Sequence, residues 1–360
     1  MHGEVPQALC RPRGAWGRKQ PGGVVGWGKL WPLGRNGYFP FSRIPLAIEP
    51  ATIMVRLYVN ASRDVRDQAT NIIDMSAFRR PYVGNAASPF RYPGGKGFLT
   101  PLLSAEIAKR FDGSPPSFAE PYCGGAGAAT NLLLAGEVEQ LFLNDADRRI
   151  YSAWRAMVNE TERFLEKISS VQVNLTTWDN ALIRLHETSL QDYDFELGFA
   201  AFFVNRTSRS GVILGSGPIG GYSQEGRWKI DARFNKEALA KRVRALGELR
   251  DQIILSCQDG LEFCQSLAHQ QKLSNTFLFI DPPYVGAGGR LYYDGMNEAR
   301  HRDLANWISA GSAPHWLLTY DDHPLVRENY SQIEQNLIEV GYSLSRKRSE
   351  KELLYRSRIR

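Results

Sequence analysis

The chain has 360 residues, of which 43% are hydrophobic and 23% are charged, with 44 Lys and Arg against 38 Asp and Glu. This globular composition excludes a collagen-like, disulfide-stapled or wholly disordered protein. No apolar run approaches the roughly 20 residues that cross a bilayer, and the N-terminus lacks the apolar segment of an export signal. We therefore expect a cytoplasmic protein with no membrane partner. The four cysteines show no CxxC spacing, which favours a reducing compartment and no structural zinc.

The positive charge is concentrated at the two ends of the chain. Residues 1–53 and residues 345–360 each carry seven Lys or Arg against two acidic residues, so the part between them is slightly acidic. This distribution is compatible with a polyanionic partner but is weak evidence for one.

The rest of the pattern predicts an extension and then an α/β domain. Residues 1–80 are rich in Gly and Pro, so we expect a poorly ordered extension there. Apolar runs predict strands at 118–122, 141–144, 253–257, 277–280 and 316–320, with helices at 126–135, 261–268 and 299–308 and a β-hairpin over 342–356. Alternating strands and helices predict a parallel sheet that is covered on both faces.

Between residues 151 and 250 the alternation stops, and a helical period predicts helices at 154–168, 178–186, 195–203 and 235–249. Within this stretch, residues 205–230 hold six glycines and four basic side chains against one acid, together with Tyr222 and Trp228. We therefore predict a discontinuous catalytic domain, formed by residues 81–150 and 251–360, and a helical recognition insert over 151–250.

A glycine turn follows the first predicted strand, in the sequence Phe118-Ala-Glu-Pro-Tyr-Cys-Gly-Gly-Ala-Gly127. A strand that enters a helix through such a turn can offer backbone N–H groups to an anion or approach a nucleoside closely. The spacing is not GxGxxG, so a dinucleotide site is not implied. A tight turn that needs glycine for positive φ explains the motif equally well.

Acidic residues end two of the predicted strands. Asp145 stands where α/β nucleotide sites bind ribose hydroxyls, although Asn144 or Asp145 could also cap the helix that begins near residue 146. Asp281 enters a Pro-Pro turn in which Pro282 has no N–H to donate and the carbonyls point outward. Asp281 and the Pro282 carbonyl offer two acceptors to an NH₂ group, and Tyr284 offers a face to a planar base.

These motifs, preceded by Phe90-Arg-Tyr-Pro-Gly-Gly-Lys96, resemble the signatures of Dam-type site-specific DNA adenine (N6) methyltransferases in both composition and order. The resemblance spans residues 89–358. It implies a Rossmann-like methyltransferase sheet with a C-terminal β-hairpin and an inserted helical DNA-recognition domain. It also implies S-adenosylmethionine (AdoMet) as methyl donor, no metal, and an adenine of double-stranded DNA as acceptor.

The resemblance assigns a role to each matching residue. Those implied to bind the cofactor are Tyr92, Lys96, Glu120, Pro121, Tyr122, Gly124, Asp145, Asp259 and Asp281, and those implied in catalysis are Asp281, Pro282, Pro283 and Tyr284. Asp259 could instead cap the helix at 261–268, and Lys96 could be a solvated surface lysine. In the implied mechanism the adenine is flipped out of the duplex, and the clamp at Asp281 aims its amine at the methyl group.

Asn205, Arg206 and Arg209 in the insert are the candidate DNA contacts. The two arginines could anchor phosphates or read bases, and Asn205 could be structural. Dam-type enzymes that read GATC tend to carry an aromatic residue and an arginine where this chain has Thr207 and Leu214, which argues against GATC as the target.

Two other classes of function stay open. An RNA adenine or DNA cytosine-N4 methyltransferase could use a similar clamp, although the cytosine enzymes usually carry Ser in place of Asp281. A non-catalytic DNA-binding protein could keep the fold, but the intact motifs argue against this. A restriction–modification or phage setting is expected, in which a cognate restriction endonuclease would be a further partner; the sequence predicts no oligomeric state.

Overall fold

The computed structural model describes residues 71–73, 75, 87–91, 94–187, 192–286, 296–343 and 347–359, all within the compact unit Val65–Arg360. Most of the predicted extension, and the predicted cofactor residue Tyr92, lie outside the described residues. The boundary predicted for the extension at residue 80 is wrong in one respect, because residues 71–73 pair in parallel with residues 336–338. The sheet therefore begins inside the stretch that was expected to lack order.

Within the described residues, eight strands form one mixed sheet in the order β1-β7-β8-β6-β5-β2-β3-β4. The strands are β1 (Asn71–Ile73), β2 (Ser117–Glu120), β3 (Gln140–Asn144), β4 (Ile253–Ser256), β5 (Thr276–Ile280), β6 (Trp316–Asp321), β7 (Asn336–Ser343) and β8 (Lys347–Arg356). Strands β2 to β6 are parallel, as predicted. The hairpin β7–β8 is confirmed, but β8 inserts antiparallel between β6 and β7.

Apart from the helix Pro324–Asn329, which was not predicted, the described helices lie close to their predicted positions with one exception. They are α1 (Thr100–Ala108), α2 (Gly127–Leu134), α3 (Arg148–Asn159), α4 (Thr161–Ser170), α5 (Leu175–His186), α6 (Phe195–Thr207), α7 (Lys236–Glu248), α8 (Gly260–His269), α9 (Glu298–Ser309) and α10 (Pro324–Asn329). The single helix predicted over 154–168 is two helices, because the backbone leaves the helical region at Glu160 (φ −119°, ψ 43°). Among the described helices, none combines the length and apolar character needed to span a membrane.

The sheet is buried on both faces, which confirms that expectation. Along β5, Phe277 and Phe279 enter one hydrophobic core, whereas Leu278 and Ile280 enter the other. This alternation follows from the period of two in a strand, since a strand covered on both sides needs apolar side chains at every position. The result is an α/β architecture of the Rossmann-like type.

Helices α3 to α7 share the first of these cores with the sheet. Phe164 and Phe202 form an edge-to-face pair, and the same core includes Phe118 of β2. Gly198 lets α6 approach α3 closely, because a Cβ there would lie 2.5 Å from the carbonyl of Ser152. The limits of the predicted insert at 151 and 250 remain a prediction, but its apolar side chains pack on the sheet.

The strand order positions a crevice at the carboxyl ends of the parallel strands. β2 and β5 are neighbours at the centre; the chain continues from β2 to β3 on one side and from β5 to β6 on the other. In open α/β sheets, ligands bind outside the strand ends at such a reversal of strand order. The motifs found in the sequence follow β2, β3, β4 and β5, so they meet at this point.

Candidate active site

A cavity of about 300 Å³ lies at this crevice, within the size range of small-molecule sites. Nine of the predicted residues line it: Lys96, Glu120, Tyr122, Gly124, Asp145, Asp259, Asp281, Pro283 and Tyr284. Pro121 and Pro282 belong to the same turns but lie outside the cavity wall. Motifs that are far apart in the sequence therefore converge on one site.

The glycine turn between β2 and α2 forms one wall of the cavity. Gly124 has φ +45°, in the left-handed region that glycine adopts without a steric penalty. The turn is held from outside, because Trp154 donates from Nε1 to the Gly124 carbonyl at 2.8 Å and Ser88 donates to the Gly125 carbonyl. The turn is thus fixed before any ligand binds.

Asp145, at the end of β3, is bound to this turn. Its Oδ2 accepts from the backbone N–H of Gly124 at 2.8 Å, and its Oδ1 accepts from the backbone N–H of Asp147 at 2.9 Å. Burial, reinforced by the charge of Asp147, raises the pKa of Asp145 to about 7. The helix-cap alternative is wrong for Asn144 and Asp145, because Asp147 caps α3 through the N–H of Arg149.

Glu120, the last residue of β2, is fully enclosed beneath the turn. Its Oε1 accepts from the backbone N–H of Ala129 in the first turn of α2 at 3.2 Å. Burial is the main cause that raises the pKa of Glu120 to about 8, and the nearby carboxylate of Asp281 adds to it. This carboxyl would ionise more readily if a cation entered the cavity.

Asp281, directly after β5, has a fixed carboxylate. Its Oδ2 forms an ion pair with Lys96 Nζ at 2.9 Å, and its Oδ1 accepts from Thr319 at 2.7 Å and from the Tyr284 hydroxyl at 3.3 Å. A carboxylate has about four lone-pair directions, so these three contacts leave one acceptor direction on Oδ2. Asp281 is therefore oriented by the protein and still able to accept a hydrogen bond.

Lys96 is a buried residue of this network. Its side chain is 5% exposed, which excludes the solvated surface lysine that was the alternative. Nζ also donates to the Gly94 carbonyl at 2.9 Å, lies 3.7 Å from Oε2 of the buried Glu352 in β8, and lies 5.0 Å from the ring centroid of Tyr284. The C-terminal hairpin thus reaches the base of the site.

A second acidic residue, Asp321, holds the segment that follows Tyr284. Asp321, at the end of β6, accepts from the backbone N–H groups of Val285 at 3.1 Å and Gly286 at 2.7 Å. These bonds hold the segment directly after Tyr284, whose ring faces the cavity. The position of this ring is therefore set by the neighbouring strand.

Asp259 does cap a helix, as its structural alternative predicted. Its Oδ1 accepts from the N–H groups of Leu261 at 2.8 Å and Glu262 at 3.3 Å, at the start of α8. Its Oδ2 lies 3.9 Å from Arg300 Nη1 in α9, and both residues line the cavity. Because only Oδ1 is used by the helix, the cap leaves Oδ2 for a ligand.

The wall of the cavity carries more acidic than basic side chains. The acidic residues are Glu120, Asp145, Asp147, Asp259 and Asp281, and the basic ones are Lys96 and Arg300. Burial raises the pKa values of two of these carboxyls, Glu120 and Asp145, so both would ionise more readily beside a bound cation. A ligand that carries positive charge, together with amino and hydroxyl donors, fits this lining.

The predicted DNA contact at Asn205 is incompatible with its position. The side chain is fully buried: Oδ1 accepts from the backbone N–H of Arg91 at 2.8 Å, and Nδ2 donates to the carbonyls of Arg91 at 3.1 Å and Gly211 at 2.7 Å. These bonds satisfy both amide donors, so Asn205 has the structural role that was its alternative. Thr207 is also fully buried.

The two arginines of the insert differ in exposure. Arg209 is exposed in a short 3₁₀ turn, beside a loop that also exposes Tyr222 and Trp228. Arg206 is partly buried and donates from Nε and Nη2 to the carbonyl of Arg233 at 2.9 and 2.5 Å. Both remain candidates for DNA contact, Arg209 by exposure and Arg206 by its charge.

Sequence reasoning missed the residues that support the site from other strands. Asn144 is fully buried and joins three strand ends through the carbonyls of Pro121 and Gln258 and the hydroxyl of Ser256. Thr319 lies in β6 and carries no local motif, whereas Glu352 in β8 belongs to the stretch Glu352-Leu353-Leu354 that the resemblance includes. Asp321, an acid at a strand end like Asp145, also had a signal that could have revealed it.

Residues 92–345 match the family model described as D12 class N6 adenine-specific DNA methyltransferase. A comparison with curated protein sequences found no match. Among solved structures, similar chains include the rRNA methyltransferase aviRa of Streptomyces viridochromogenes (TM-score 0.35, 14% identity, 80% of this chain and 93% of that chain). Another is a SAM-dependent methyltransferase of Agrobacterium tumefaciens (TM-score 0.32, 12% identity, 72% and 61%). The assignment to the D12 class is based on the sequence match alone, because the similarity to these structures is low.

Proposed function

Because the chain belongs to the D12 class of N6 adenine-specific DNA methyltransferases, we propose that it transfers a methyl group from AdoMet to the N6 amine of an adenine in double-stranded DNA. The observation that carries this proposal is the oriented carboxylate of Asp281, which shares one cavity with the glycine turn at Gly124. A methyl donor and its acceptor must meet at such a point.

The acidic half of the cavity is the proposed site for the methyl donor. When bound, AdoMet supplies an electrophilic methyl group on a positively charged sulfur. Asp145 would accept hydrogen bonds from the ribose hydroxyls, and the free Oδ2 of Asp259 would accept from the adenine amino group. Glu120 lies between the turn and Asp281 and would stabilise positive charge there once ionised.

Asp281 and its turn are the proposed site for the acceptor amine. The free acceptor direction on Oδ2 and the Pro282 carbonyl would each receive one N–H of the amine, which localises its lone pair on nitrogen. Tyr284 would stack on the base. Lys96 and Thr319 hold the carboxylate in one orientation, so most of the rate gain would come from positioning rather than from a change in charge. The carboxylate of Asp281 would also accept the proton that the nitrogen loses.

A base must leave the duplex to reach this position. Asp281 is only 23% exposed, and the cavity of about 300 Å³ cannot admit a paired duplex. Flipping costs a few kcal/mol, and binding of the DNA backbone would compensate for it. The basic and aromatic loop that holds Arg209 and Trp228 is the proposed surface for this contact.

A transfer assay tests the proposal against its rivals. Purified protein is incubated with methyl-labelled AdoMet in three parallel reactions, which contain duplex DNA, single-stranded DNA or RNA. The products are then digested to nucleosides. We expect more label in N6-methyl-2′-deoxyadenosine from duplex DNA than in the products of the other substrates. Label only in N4-methylcytosine or only in RNA would contradict the substrate, and tight DNA binding without any transfer would favour a non-catalytic protein.

A further inference from the structure

Four arginines from four separate segments lie close enough to interact through their charges, and one of them, Arg91, lies near the cavity wall in the sequence. Arg91 lies three residues before Gly94 of the cavity wall, Arg206 lies in α6, Arg233 ends a short 3₁₀ helix (Ile230–Arg233), and Arg242 lies in α7. Arg206 donates to the carbonyls of Arg233 and Pro89, and Arg242 Nη1 donates to the Ser88 carbonyl at 3.1 Å. The side chains from α6 and α7 therefore both reach the segment that leads into Arg91. We call these four residues the arginine cluster.

The arginine cluster has no carboxylate partner within the described part of the chain. The ion pairs found there involve other arginines, such as Arg184, which pairs with two acids. The guanidinium groups of Arg206 and Arg242 donate to neutral carbonyl groups, and that of Arg233 lies 6.0 Å from the ring centroid of Trp228. None of these contacts neutralises the positive charge. Nη1 of Arg91 is buried with no hydrogen-bond partner among the described residues. This is an unusual concentration of uncompensated positive charge.

The lowered pKa values of two arginines of the cluster also indicate uncompensated positive charge. Burial lowers the pKa of Arg206 to about 9, and the charges of Arg91, Arg242 and Arg233 add to this effect. Burial and the charge of Arg233 also lower the pKa of Arg91. Since guanidinium groups stay protonated near neutral pH, the cluster is under mutual repulsion that a bound anion would relieve.

The position of the cluster indicates which anion would bind. Consecutive Cα atoms are 3.8 Å apart, so the Cα atoms of Arg91 and Gly94 lie within about 11 Å of each other. A nucleotide whose base enters the cavity would bring its flanking phosphates to this distance. Guanidinium groups match phosphate oxygens in a two-pronged geometry.

We propose that Arg91, Arg206, Arg233 and Arg242 form a phosphate-binding cluster that holds the DNA backbone beside the flipped nucleotide. This rests on the proposed function, because it takes DNA as the substrate. The cluster supplies affinity and position but no sequence preference. Three of its members, Arg91, Arg233 and Arg242, were not among the predicted DNA contacts.

The decisive experiment compares Arg242→Gln with Arg244→Gln. Both residues lie on α7, but Arg244 is exposed and points about 200° around the helix from Arg242, at 100° per residue. The dissociation constant for a duplex DNA is measured by fluorescence anisotropy over a series of salt concentrations. We expect Arg242→Gln to weaken binding several-fold for all sequences and to reduce the salt slope by about 0.9, as for one lost phosphate contact.

Four controls separate this result from misfolding and from binding of a free anion. Arg244→Gln should keep the slope of the wild type, and Arg242→Lys, which restores the charge, should recover it. Removing one repelling charge should leave the melting temperature of Arg242→Gln equal to or above that of the wild type. Inorganic phosphate at constant ionic strength should compete only weakly, because a single phosphate lacks the rest of the DNA.

The outcomes distinguish this proposal from the proposed function. If the two glutamine variants weaken binding equally, or if neither changes the salt slope, the cluster is not a phosphate site, even where the wild type methylates DNA. Tight binding of inorganic phosphate alone would also overturn it, since the site would then serve a free anion. A wild type that neither binds nor methylates DNA would overturn both proposals.

Discussion

At the scale of single residues, the site depends on carboxyl groups that the fold holds in different states. Asp281 is paired with Lys96 and oriented by Thr319, whereas Glu120 is enclosed without a charged partner at hydrogen-bond distance in the described part of the chain. The pKa of Glu120 is accordingly raised to about 8. One acid is therefore prepared to accept a hydrogen bond, and the other to respond to positive charge.

Replacing Asp281 by Asn should abolish most of the transfer activity. The amide keeps the size of the side chain but loses the ion pair with Lys96 and places an N–H donor where the amine also donates. We expect the rate of methyl transfer to fall on the order of 100-fold or more, with a smaller change in AdoMet affinity. Single-turnover kinetics and a cofactor titration measure the two effects.

The matched control is Asp322→Asn, at an exposed carboxylate that pairs with Arg327 close to the same end of the sheet. This variant should transfer at the wild-type rate. Equal rates for wild type and Asp281→Asn would remove the role proposed for Asp281.

Replacing Glu120 by Gln should change how stability depends on pH. The pKa of Glu120 is higher in the folded protein than in the unfolded chain, so the folded state is favoured while the group is protonated. This contribution is fully present below the ordinary pKa near 4 and is lost as the pH rises through about 8. Gln stays neutral, so the variant should melt a few degrees above the wild type at pH 9, with a smaller difference at pH 6.

The control for this variant is a substitution at Glu248, which is exposed on α7. Glu248→Gln should melt with the wild type at both pH values. If Glu120→Gln does the same, Glu120 is not protonated in the folded protein. The Glu120 variant should also bind AdoMet more weakly at pH 9, because it cannot supply the negative charge.

At the scale of secondary-structure elements, close contacts between elements shape the cavity. Gly260, the first residue of α8, faces the ring of Tyr122, and a Cβ at this position would lie 2.3 Å from the ring. The start of α8 can therefore approach the turn after β2 only because this residue is glycine. The side chain of Tyr122 is held in the cavity wall by that approach.

Gly260→Ala should weaken AdoMet binding by displacing Tyr122 from the wall. We expect the dissociation constant to rise roughly tenfold, the factor that corresponds to about 1.4 kcal/mol. Gly217→Ala is the control, because no atom lies within 4 Å of a Cβ at that position. Isothermal titration of both variants gives the result, and equal affinities would mean that the ring of Tyr122 does not form the pocket.

The sequence predicted the strands and helices better than it predicted the contacts between them. Asp145 and Asp281 each follow an apolar strand, and parallel strands end at the same edge of a sheet, so their convergence could be foreseen. The contact from Thr319 could not, because no local motif marks this residue of β6. The approach of Glu352 to Lys96 could not either, because it depends on the antiparallel insertion of β8 beside β6. Asn205 looked like a polar partner of Arg206, and only tertiary packing reveals that its amide is buried.

At the scale of the whole described unit, the sheet and the helical insert share one core. Phe118 of β2 and Phe202 of α6 belong to the same cluster of buried side chains. Elements that share a core lose their packing together when either one unfolds. The insert is therefore expected to depend on the sheet for its stability.

Unfolding of the protein should show this dependence directly. We expect tryptophan fluorescence, to which the fully buried insert residues Trp154 and Trp178 contribute, and far-ultraviolet circular dichroism to report one coincident transition. Phe202→Ala should lower the midpoint of both signals equally, at a cost of about 3–5 kcal/mol. Two separated transitions would mean that the insert folds independently.

We propose that this protein methylates adenine at a specific sequence in DNA. The most direct measurement is sequencing that detects modified bases, applied to the genomic DNA of cells that express the wild type or Asp281→Ala. We expect N6-methyladenine at one short sequence in the DNA of cells with the wild type, and none above background in the DNA of cells with the variant. Modified cytosine alone, or no modified base in cells that contain folded wild-type protein, would contradict it.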